Sequence, residues 1–525
     1  MNSRKSLFIV IPLLLLGGCN FSNGASSDLS SYTSATTESV PTSSEIDVHN
    51  ISINFTAIND FHGQLDPNKS EYEVGISKMA SYLKYRKNAG DILISSGDMY
   101  QGSLISNITK GKWVSEMFKY IGFDAYVIGN HEFDWGIEAI KENEEVLGEK
   151  MLGANIYQYP QVDGKWVKSD IGEPYKIITV NEGSEAEVKV GIIGVIGVDQ
   201  LSSITSLFVK DIVFLEPDEI VKTIAVDLRE NKGCDVVVAS YHSASFGDES
   251  DADPDPSIAD VVPGKNYHYV DACFMAHTHR YMDYKENGVP FIQASAYSRG
   301  VADAQFTFDK ATSTLTLKNS GYHYLDSMDL SDDTYVKESL EALKREHASK
   351  FTDIIGTNTS GEISTDNMSR LYAKISFEKA INEGYSIDGC LFNSSRQPLK
   401  DGDFTYSDLY ETNPFLNGLY IFDVSGSDFR RIAGTYYGIG YLRDGLEKYS
   451  IDTSQRYKVL AFNYNGFHQN INSDYSRQYN VFPSAFTTQA EAPVKLDYNC
   501  VDATVDYLKI NHNITSEWYS GTNFV

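Results

Sequence analysis

From Ile51 onward, short apolar runs alternate with longer segments whose apolar side chains recur every three or four positions. Ile51 to Ile58 is rich in β-formers and runs directly into Asp60. Val74 to Asn88 carries Ile76, Met79, Tyr82 and Leu83 at helical spacing. Asp91 to Ser95 reads as a short buried strand, Trp113 to Ile121 as a helix, and Asp124 to Ile128 as another strand. Two later runs, Val236 to Ala239 and Ala272 to Met275, have the same character. Strands alternating with helices predict an α/β domain, with ligand groups gathered outside the carboxyl ends of the strands.

Asp332 and Asp333 open a charged segment, Tyr335 to Ser349, that reads as an amphipathic helix with an acidic first turn. It is polar on most faces, which suits a connector between domains and suggests that the part beyond it swings to deliver substrate. From about Ile354 the chain is rich in Tyr, Asn and Ser and holds a second apolar core. A chain of 525 residues is too long for one core of ordinary size.

The first residues read as a targeting segment. Arg4 and Lys5 precede the apolar stretch Leu7 to Leu16, which is short for a bilayer span and suited to an export signal. It ends in Leu16-Gly17-Gly18-Cys19, which resembles a bacterial lipobox and makes Cys19 the expected lipidation site. Residues 20–48 are rich in Ser, Thr and Asn and read as a disordered tether. The expected location is the outer face of the cell membrane, reached only through that lipid anchor. A formal net charge of −28 argues against a nucleic acid duplex as partner. Cys234, Cys273, Cys390 and Cys500 are widely spaced and read as structural thiols.

Where the apolar runs end, metal-ligating side chains appear. Asp60 and His62 are two apart and share a side of an extended segment. Asp98 follows a glycine and offers two oxygens, enough to bridge two ions. Asn130 adds a neutral carbonyl, and His242, His277 and His279 add imidazoles. With His131, which follows Asn130, five of the 11 histidines sit at these spots. The mixed nitrogen and oxygen set fits two divalent transition-metal ions, Zn, Mn or Fe, better than Ca or Mg. Such a pair, about 3.5–4 Å apart, clamps a phosphoryl group for in-line displacement. His131 and Asp134, three apart in a turn, form an oriented imidazole for transition-state charge or leaving-group protonation.

Ile58-Asn59-Asp60-Phe61-His62-Gly63, Ser96-Gly97-Asp98, Ile128-Gly129-Asn130-His131-Glu132-Phe133-Asp134-Trp135-Gly136 and His277-Thr278-His279 resemble the calcineurin-like metallophosphoesterases. The branch they are most similar to is that of the secreted 5'-nucleotidases and 2',3'-cyclic phosphodiesterases. The resemblance implies a four-layer αββα sandwich over residues 49–330, a connector helix at 331–353, and a smaller α/β substrate-recognition domain over 354–525. It implies one ion held by Asp60, His62, Asp98 and His279, another by Asp98, Asn130, His242 and His277, and a catalytic dyad of His131 and Asp134. Ala276 stands where the family usually has Gly.

Later motifs match less closely. Asn413-Pro414-Phe415-Leu416-Asn417 looks like the family's Pro-Phe-x-Asn, and Asn393-Ser394-Ser395-Arg396 occupies the place of a loop whose paired glycines are missing here. Arg396 is expected to meet a phosphate, Tyr464 to stack on a base, and Asn470 to fall at an acidic position of the family. The second stacking ring is Tyr441, Tyr436 or Tyr437. The function implied is hydrolysis of nucleotide phosphate monoesters outside the cell by a monomer. The alternatives are 2',3'-cyclic nucleotide or UDP-sugar and dinucleotide pyrophosphate hydrolysis, and, from another class, a surface binding protein or adhesin on the same fold.

Overall fold

Strand Ile51–Ile58 alternates cleanly: Ile51, Ile53, Phe55 and Ala57 point into one core, while Ser52 and Asn54 on the other face stay at least partly exposed. It is the centre of a five-stranded sheet with the order Thr314–Tyr324, Gly300–Asp309, Ile51–Ile58, Ile92–Ser95 and Ala125–Tyr126. Ile51–Ile58, Ile92–Ser95 and Ala125–Tyr126 run parallel, and the remaining pairings are antiparallel. These features belong to a computed structural model that describes residues 48–243 and 254–525. The expected leader, Cys19 and nearly all of the tether lie outside the described residues.

A second sheet has six strands in the order Tyr281–Glu286, Val289–Ala294, Ala272–Met275, Val236–His242, Val188–Ile196 and Tyr175–Val180. Its four central strands are parallel and buried on both faces, so their sequences are nearly continuous apolar runs. Val188, Val190, Ile192, Val236 and Val238 meet Phe55, Ile92 and Ile94 of the first sheet in a core between the sheets. Ile193, Val195, Val237 and Ala239 point the other way, onto Val221, Ala225 and Leu228 of helix Pro217–Glu230. The outer face of the five-stranded sheet is covered by helices Ile76–Asn88, Lys112–Ile121 and Ile137–Leu147. The result is a four-layer αββα sandwich, as the resemblance implied.

A smaller α/β part follows. Its five-stranded sheet has the order Ile439–Leu442, Gly389–Phe392, Arg456–Phe462, Leu419–Ser425 and Val494–Lys495. Helices Thr365–Asn382 and Cys500–Asn511 pack on one face, and helix Gly426–Ile432 on the other. The four described cysteines are buried and free. Among the described residues no helix is long and apolar enough to cross a membrane.

Two expectations need adjustment. The run Asp124 to Ile128 forms only a two-residue strand, Ala125–Tyr126, because beyond it the Ile128 N–H donates to Leu152 (3.0 Å) instead of continuing the ladder. The connector helix, Thr334–Glu346, is fastened to the first domain and does not stand free between two. Asp333 caps it through the Val336 N–H (3.0 Å) and pairs with Lys84 (2.9 Å), Trp113 donates to Ser339 (3.0 Å), and Val336 and Leu340 are buried in the first domain's core.

A hairpin of the C-terminal part, Gln469–Ile471 with Arg477–Tyr479, reaches back to the sandwich. Arg477 donates to the carbonyls of Val209 (3.0 Å) and Ile212, with its guanidinium 4.2 Å above the Tyr159 ring. The Glu216 N–H donates to the Tyr475 hydroxyl (3.3 Å), and Tyr475 meets Trp166 edge-on. Arg477→Ala removes a charged donor from two buried carbonyls, at a cost of about 1–3 kcal/mol. Thermal unfolding is expected to shift down, and limited proteolysis is expected to open the hairpin turn at residues 472–476 before any site in the sandwich.

Candidate metal centre

The carboxyl ends of the parallel strands of both sheets meet along one edge. Asp60 follows Ile58, Asp98 follows Ser95, His242 ends its strand, and His277 follows Met275. Hydrogen bonds sew the sheets together there. The Ser240 hydroxyl donates to Ser96 Oγ (2.9 Å), and the His277 N–H donates to both carboxylate oxygens of Asp60 (3.1 and 2.9 Å).

Side-chain ligand atoms within 4.8 Å of one another form three groups that could hold an ion: Asp60, His62 and His279; His62, Asp98 and His131; and Asp98, His242 and His277. Asp98 belongs to two groups, so the clusters are contiguous. Asn130 Oδ1 lies 3.1 Å from His242 Nε2. All seven residues expected as ligands therefore lie in one place, although they are spread between positions 60 and 279 of the chain.

The donor chemistry tests whether a cation fits. His242 Nδ1 lies 2.9 Å from the Ser96 carbonyl and His62 Nδ1 lies 3.0 Å from the Gln101 carbonyl. A carbonyl only accepts, so these nitrogens carry the protons and each Nε2 of a neutral ring presents a lone pair. His242 Nε2 then faces Asp98 Oδ2 at 3.1 Å as well as the Asn130 oxygen, and His62 Nε2 faces His279 Nε2 at 3.1 Å. Lone pairs converging at this range repel one another unless a proton or a cation sits among them. The set fits divalent ions.

Three of the rings are held in the form that binds a cation. Burial drives His62 well below its usual pKa, His277 down to about 3 and His279 down to about 4, keeping these rings in the neutral, ligating form. His242 differs: burial acts against its charged form, but Asp98 and Asp60 outweigh it and lift the ring to about 10, so without a bound cation its Nε2 carries a proton toward Asp98 and Asn130. Desolvation, reinforced by Asp98, raises Asp60 to about 7. Asp98 stays ionised despite its burial, held down by His242, His131 and His62.

The backbone is bent to make the cluster. Asp60, His62, Asp98, His277 and His279 all have positive φ, between 49° and 79°. Each such non-glycine residue costs on the order of 1–2 kcal/mol, which persists only where the surroundings enforce it. Two glycines are forced by space alone. A Cβ at Gly129 would lie 2.3 Å from Asp98 Oδ1, and one at Gly97 would lie 2.4 Å from His242 Nδ1.

His131 sits on the short 3-10 turn His131–Phe133. Its N–H donates to Asp98 Oδ1 (2.8 Å), and its Nδ1 lies 2.7 Å from Asp134 Oδ2. Burial lowers the imidazole pKa, but Asp134 and then Asp98 overcome it and hold the ring at about 9, protonated at neutral pH.

Among the expected substrate contacts, Arg396 and Tyr464 lie near the centre. The Arg396 guanidinium is 4.7 Å from the Phe415 ring, and Phe415 stacks on His131. Burial keeps the phenols of Tyr297 and Tyr464 above their usual range, and the Arg396 charge partly opposes this at both. Tyr464 and Tyr437 perturb each other's phenols, and both rings contact His468. Tyr441 is not with them. It packs on Phe377 and Phe524, 5.2 Å from each, because its strand turns that face toward helix Thr365–Asn382. Of the alternatives, Tyr437 is the ring beside Tyr464. Asn470 stands exposed on the hairpin, its oxygen taken by Asn480 Nδ2 (2.7 Å).

Several supporting residues went unassigned in the sequence. Glu132 is buried under the centre and accepts from the N–H groups of Gly129 (2.6 Å), Asp98 (2.8 Å) and Met99 (2.8 Å). Asn59 donates to Asp60 Oδ2 (2.7 Å) and accepts from the Ala294 N–H (3.1 Å). Tyr297 contacts His62 and His279, and its N–H donates to the Asp60 carbonyl (2.9 Å). It follows a buried strand, Val289–Ala294, so the strand-end pattern could have found it.

Residues 53–281 match the model of the calcineurin-like phosphoesterase family. That match, with the donor groups described above, supports a phosphoric ester hydrolase that works with divalent metal ions. Endonuclease YhcR of Bacillus subtilis (strain 168) is 25% identical over 73% of this chain, which spans only 32% of that protein's length. A 5'-nucleotidase of Vibrio vulnificus (strain CMCP6) is 24% identical over 70% of this chain and 73% of its own. The solved structure of a 5'-nucleotidase precursor from Thermus thermophilus is similar with a TM-score of 0.64 and 19% identity, covering 88% of this chain and 97% of that one. At that identity the likeness establishes the fold, C-terminal domain included.

Glu132→Gln places an amide where three N–H donors converge, and one end of that amide cannot accept. Metal retention, read by elemental analysis after dialysis, is expected to weaken by about 10–100-fold while the fold survives by circular dichroism.

Proposed function

We propose that this protein removes phosphate from nucleotide monoesters in the manner of a 5'-nucleotidase, releasing nucleoside and phosphate. The observation that carries the reading is the position of His131, braced by Asp134 and tied through its N–H to Asp98, the carboxylate shared by two of the candidate ion groups. Similarity to the Vibrio vulnificus 5'-nucleotidase over most of both chains supports the substrate class.

In this reading Asp60, His62, Asp98 and His279 hold one divalent ion and Asp98, Asn130, His242 and His277 the other, Zn, Mn or Fe. When bound, the ions supply Lewis acidity toward the phosphate and an acidified water. The chain's own residues do the rest. The His131 imidazolium lies against the scissile group, offsets charge building on its oxygens and can deliver a proton to the leaving oxygen. Asp134 keeps the proton-bearing edge of the ring aimed. Arg396 meets the phosphate, and Tyr464 with Tyr437 forms an aromatic wall for the base, worth about 1–3 kcal/mol per ring.

The partition we infer is a phosphoesterase domain over 49–330, a helix over 331–353 and a recognition domain over 354–525. The leader, Cys19 and tether support an exported, lipid-anchored protein whose substrate is extracellular nucleotide, and we infer that it acts as a monomer.

Phosphate release from a panel of 5'-mononucleotides, 2',3'-cyclic nucleotides and UDP-sugars, with and without Mn or Zn, tests the assignment. Mononucleotides are expected to be turned over best, and chelation is expected to stop release. No metal-dependent release from any of them would leave a binding protein on this fold. His131→Asn is expected to lower kcat by about 10²–10⁴ while sparing metal content. Tyr464→Ala is expected to raise KM for nucleotides about tenfold and leave that for p-nitrophenyl phosphate unchanged.

A further inference from the structure

Three rings form a closed triangle at one end of the metal centre. The Tyr297 centroid lies 5.3 Å from that of His62 and 5.1 Å from that of His279, and the two imidazoles are 5.0 Å apart. Tyr297 meets His279 edge to face, at 87°, and lies at 35° to His62. The Nε2 atoms of the two imidazoles stand 3.1 Å apart and, with Asp60, make up one of the candidate ion groups. Close packing leaves each ring of such a triangle one orientation, and so decides where both Nε2 atoms point.

The phenol ring of the triangle is itself gripped. The Arg299 guanidinium carbon lies 5.2 Å from the Tyr297 centroid, and Arg299 is tied to the buried Glu73 (3.0 Å) and to Glu71 (3.1 Å). An aromatic face attracts such a cation, so ring and guanidinium hold each other. The backbone beneath is strained, with φ of 60° at Ser295, 57° at Tyr297 and 66° at Ser298. Asn59 Nδ2 donates to the Ser295 carbonyl, and Ser295 Oγ donates to the His279 carbonyl (3.2 Å). The Tyr297 N–H donates to the Asp60 carbonyl (2.9 Å), and the Gly75 N–H donates to Ser298 Oγ (3.0 Å). The turn is thus bonded directly to two members of the ion group, Asp60 and His279. Three left-handed residues within four positions, each fastened, serve to put one ring in one place.

We propose that Tyr297 is a positioning residue for one of the two divalent ions: its ring locks His62 and His279 in the arrangement that receives that cation, and Arg299 holds the ring. The group of Asp98, His242 and His277 is oriented by other contacts, the Ser96 carbonyl on His242 Nδ1 (2.9 Å) and the His242–His277 ring pair (5.5 Å). The two ions are therefore retained unequally when Tyr297 is altered. One depends on an aromatic side chain that binds no metal, and the other does not. This role rests on the reading of the site as a two-ion centre.

The test strips the full chain with a chelator and titrates it with Co(II), following visible absorption and counting bound ions by elemental analysis. Circular dichroism checks that each variant folds. The parent is expected to bind two ions. Tyr297→Ala is expected to bind one as the parent does and the other about 10–100-fold more weakly. Tyr297→Phe is expected to restore both and Tyr297→Leu is not, since the ring face is what acts. Arg299→Gln is expected to weaken the same ion by about two- to fivefold. In a His279→Ala background, which has already lost a ligand of that ion, adding Tyr297→Ala is expected to leave the remaining ion's affinity unchanged. Undiminished binding in Tyr297→Ala, equal weakening of both ions, a Leu variant as tight as the parent, a Phe variant as weak as Ala, or further weakening in the His279→Ala background would each overturn the proposal. With two ions bound by the parent, any of these results leaves the two-ion reading intact. A parent that binds fewer than two ions overturns that reading, and the role of Tyr297 with it.

Discussion

A buried carboxylate with no access to substrate sets the geometry of the whole centre. Glu132 gathers N–H donors from the turn at Asp98 and Met99 and from Gly129, and so pins two strand-end loops to each other. Burial and the charge of Asp98 push it up to about 7, against which the N–H groups of Met99 and Asp98 and the His242 ring work. With the loops fixed, Asp98 has no freedom to turn away from His242, and the N–H of His131 is aimed at its other oxygen. The lone pairs crowded above are tolerable only around positive charge. The fold therefore gathers these donors at one point before any cation arrives.

That commitment explains where the strain lies. A left-handed backbone is unfavourable for residues with a Cβ, yet it occurs at Asp60, His62, Asp98, His277 and His279 and again at Ser295, Tyr297 and Ser298. These residues leave buried strands and must reverse direction at once, or their side chains would miss the common point. Support comes from the cross-sheet bonds of Asn59, Ser96 and Ser240, so the sandwich core and the site are one mechanical unit.

Much of this was legible in the sequence because its signals are local. Apolar runs ending in Asp, Asn or His mark parallel strands whose carboxyl ends share an edge, and Asp60, Asp98, His242 and His277 fall where that rule puts them. The strand at Asp124 to Ile128 came out shorter, since Ile128 finds its partner in Leu152, a pairing no local pattern announces. Glu132 was visible as a letter in a motif, but its task depends on N–H groups more than 30 residues away. The aromatic partner of Tyr464 was left open among three tyrosines because strand register decides which face each occupies. Tyr441 goes to the helix side, and Tyr437 to Tyr464. The docking of Phe415 on His131 joins residues nearly 300 positions apart and needed the relative placement of the domains.

The carbonyl of Pro414, which accepts from Gln101 and Asn107 of the sandwich and from Tyr410, is a main-chain oxygen, which every amino acid supplies equally. Substitution at that position leaves the oxygen in the chain, so drift and selection can tune the grip between the domains chiefly by editing Gln101, Asn107 and Tyr410. Heritable adjustment of interdomain tightness is thereby confined to a few codons, two of them in the half of the protein that carries the metal ligands.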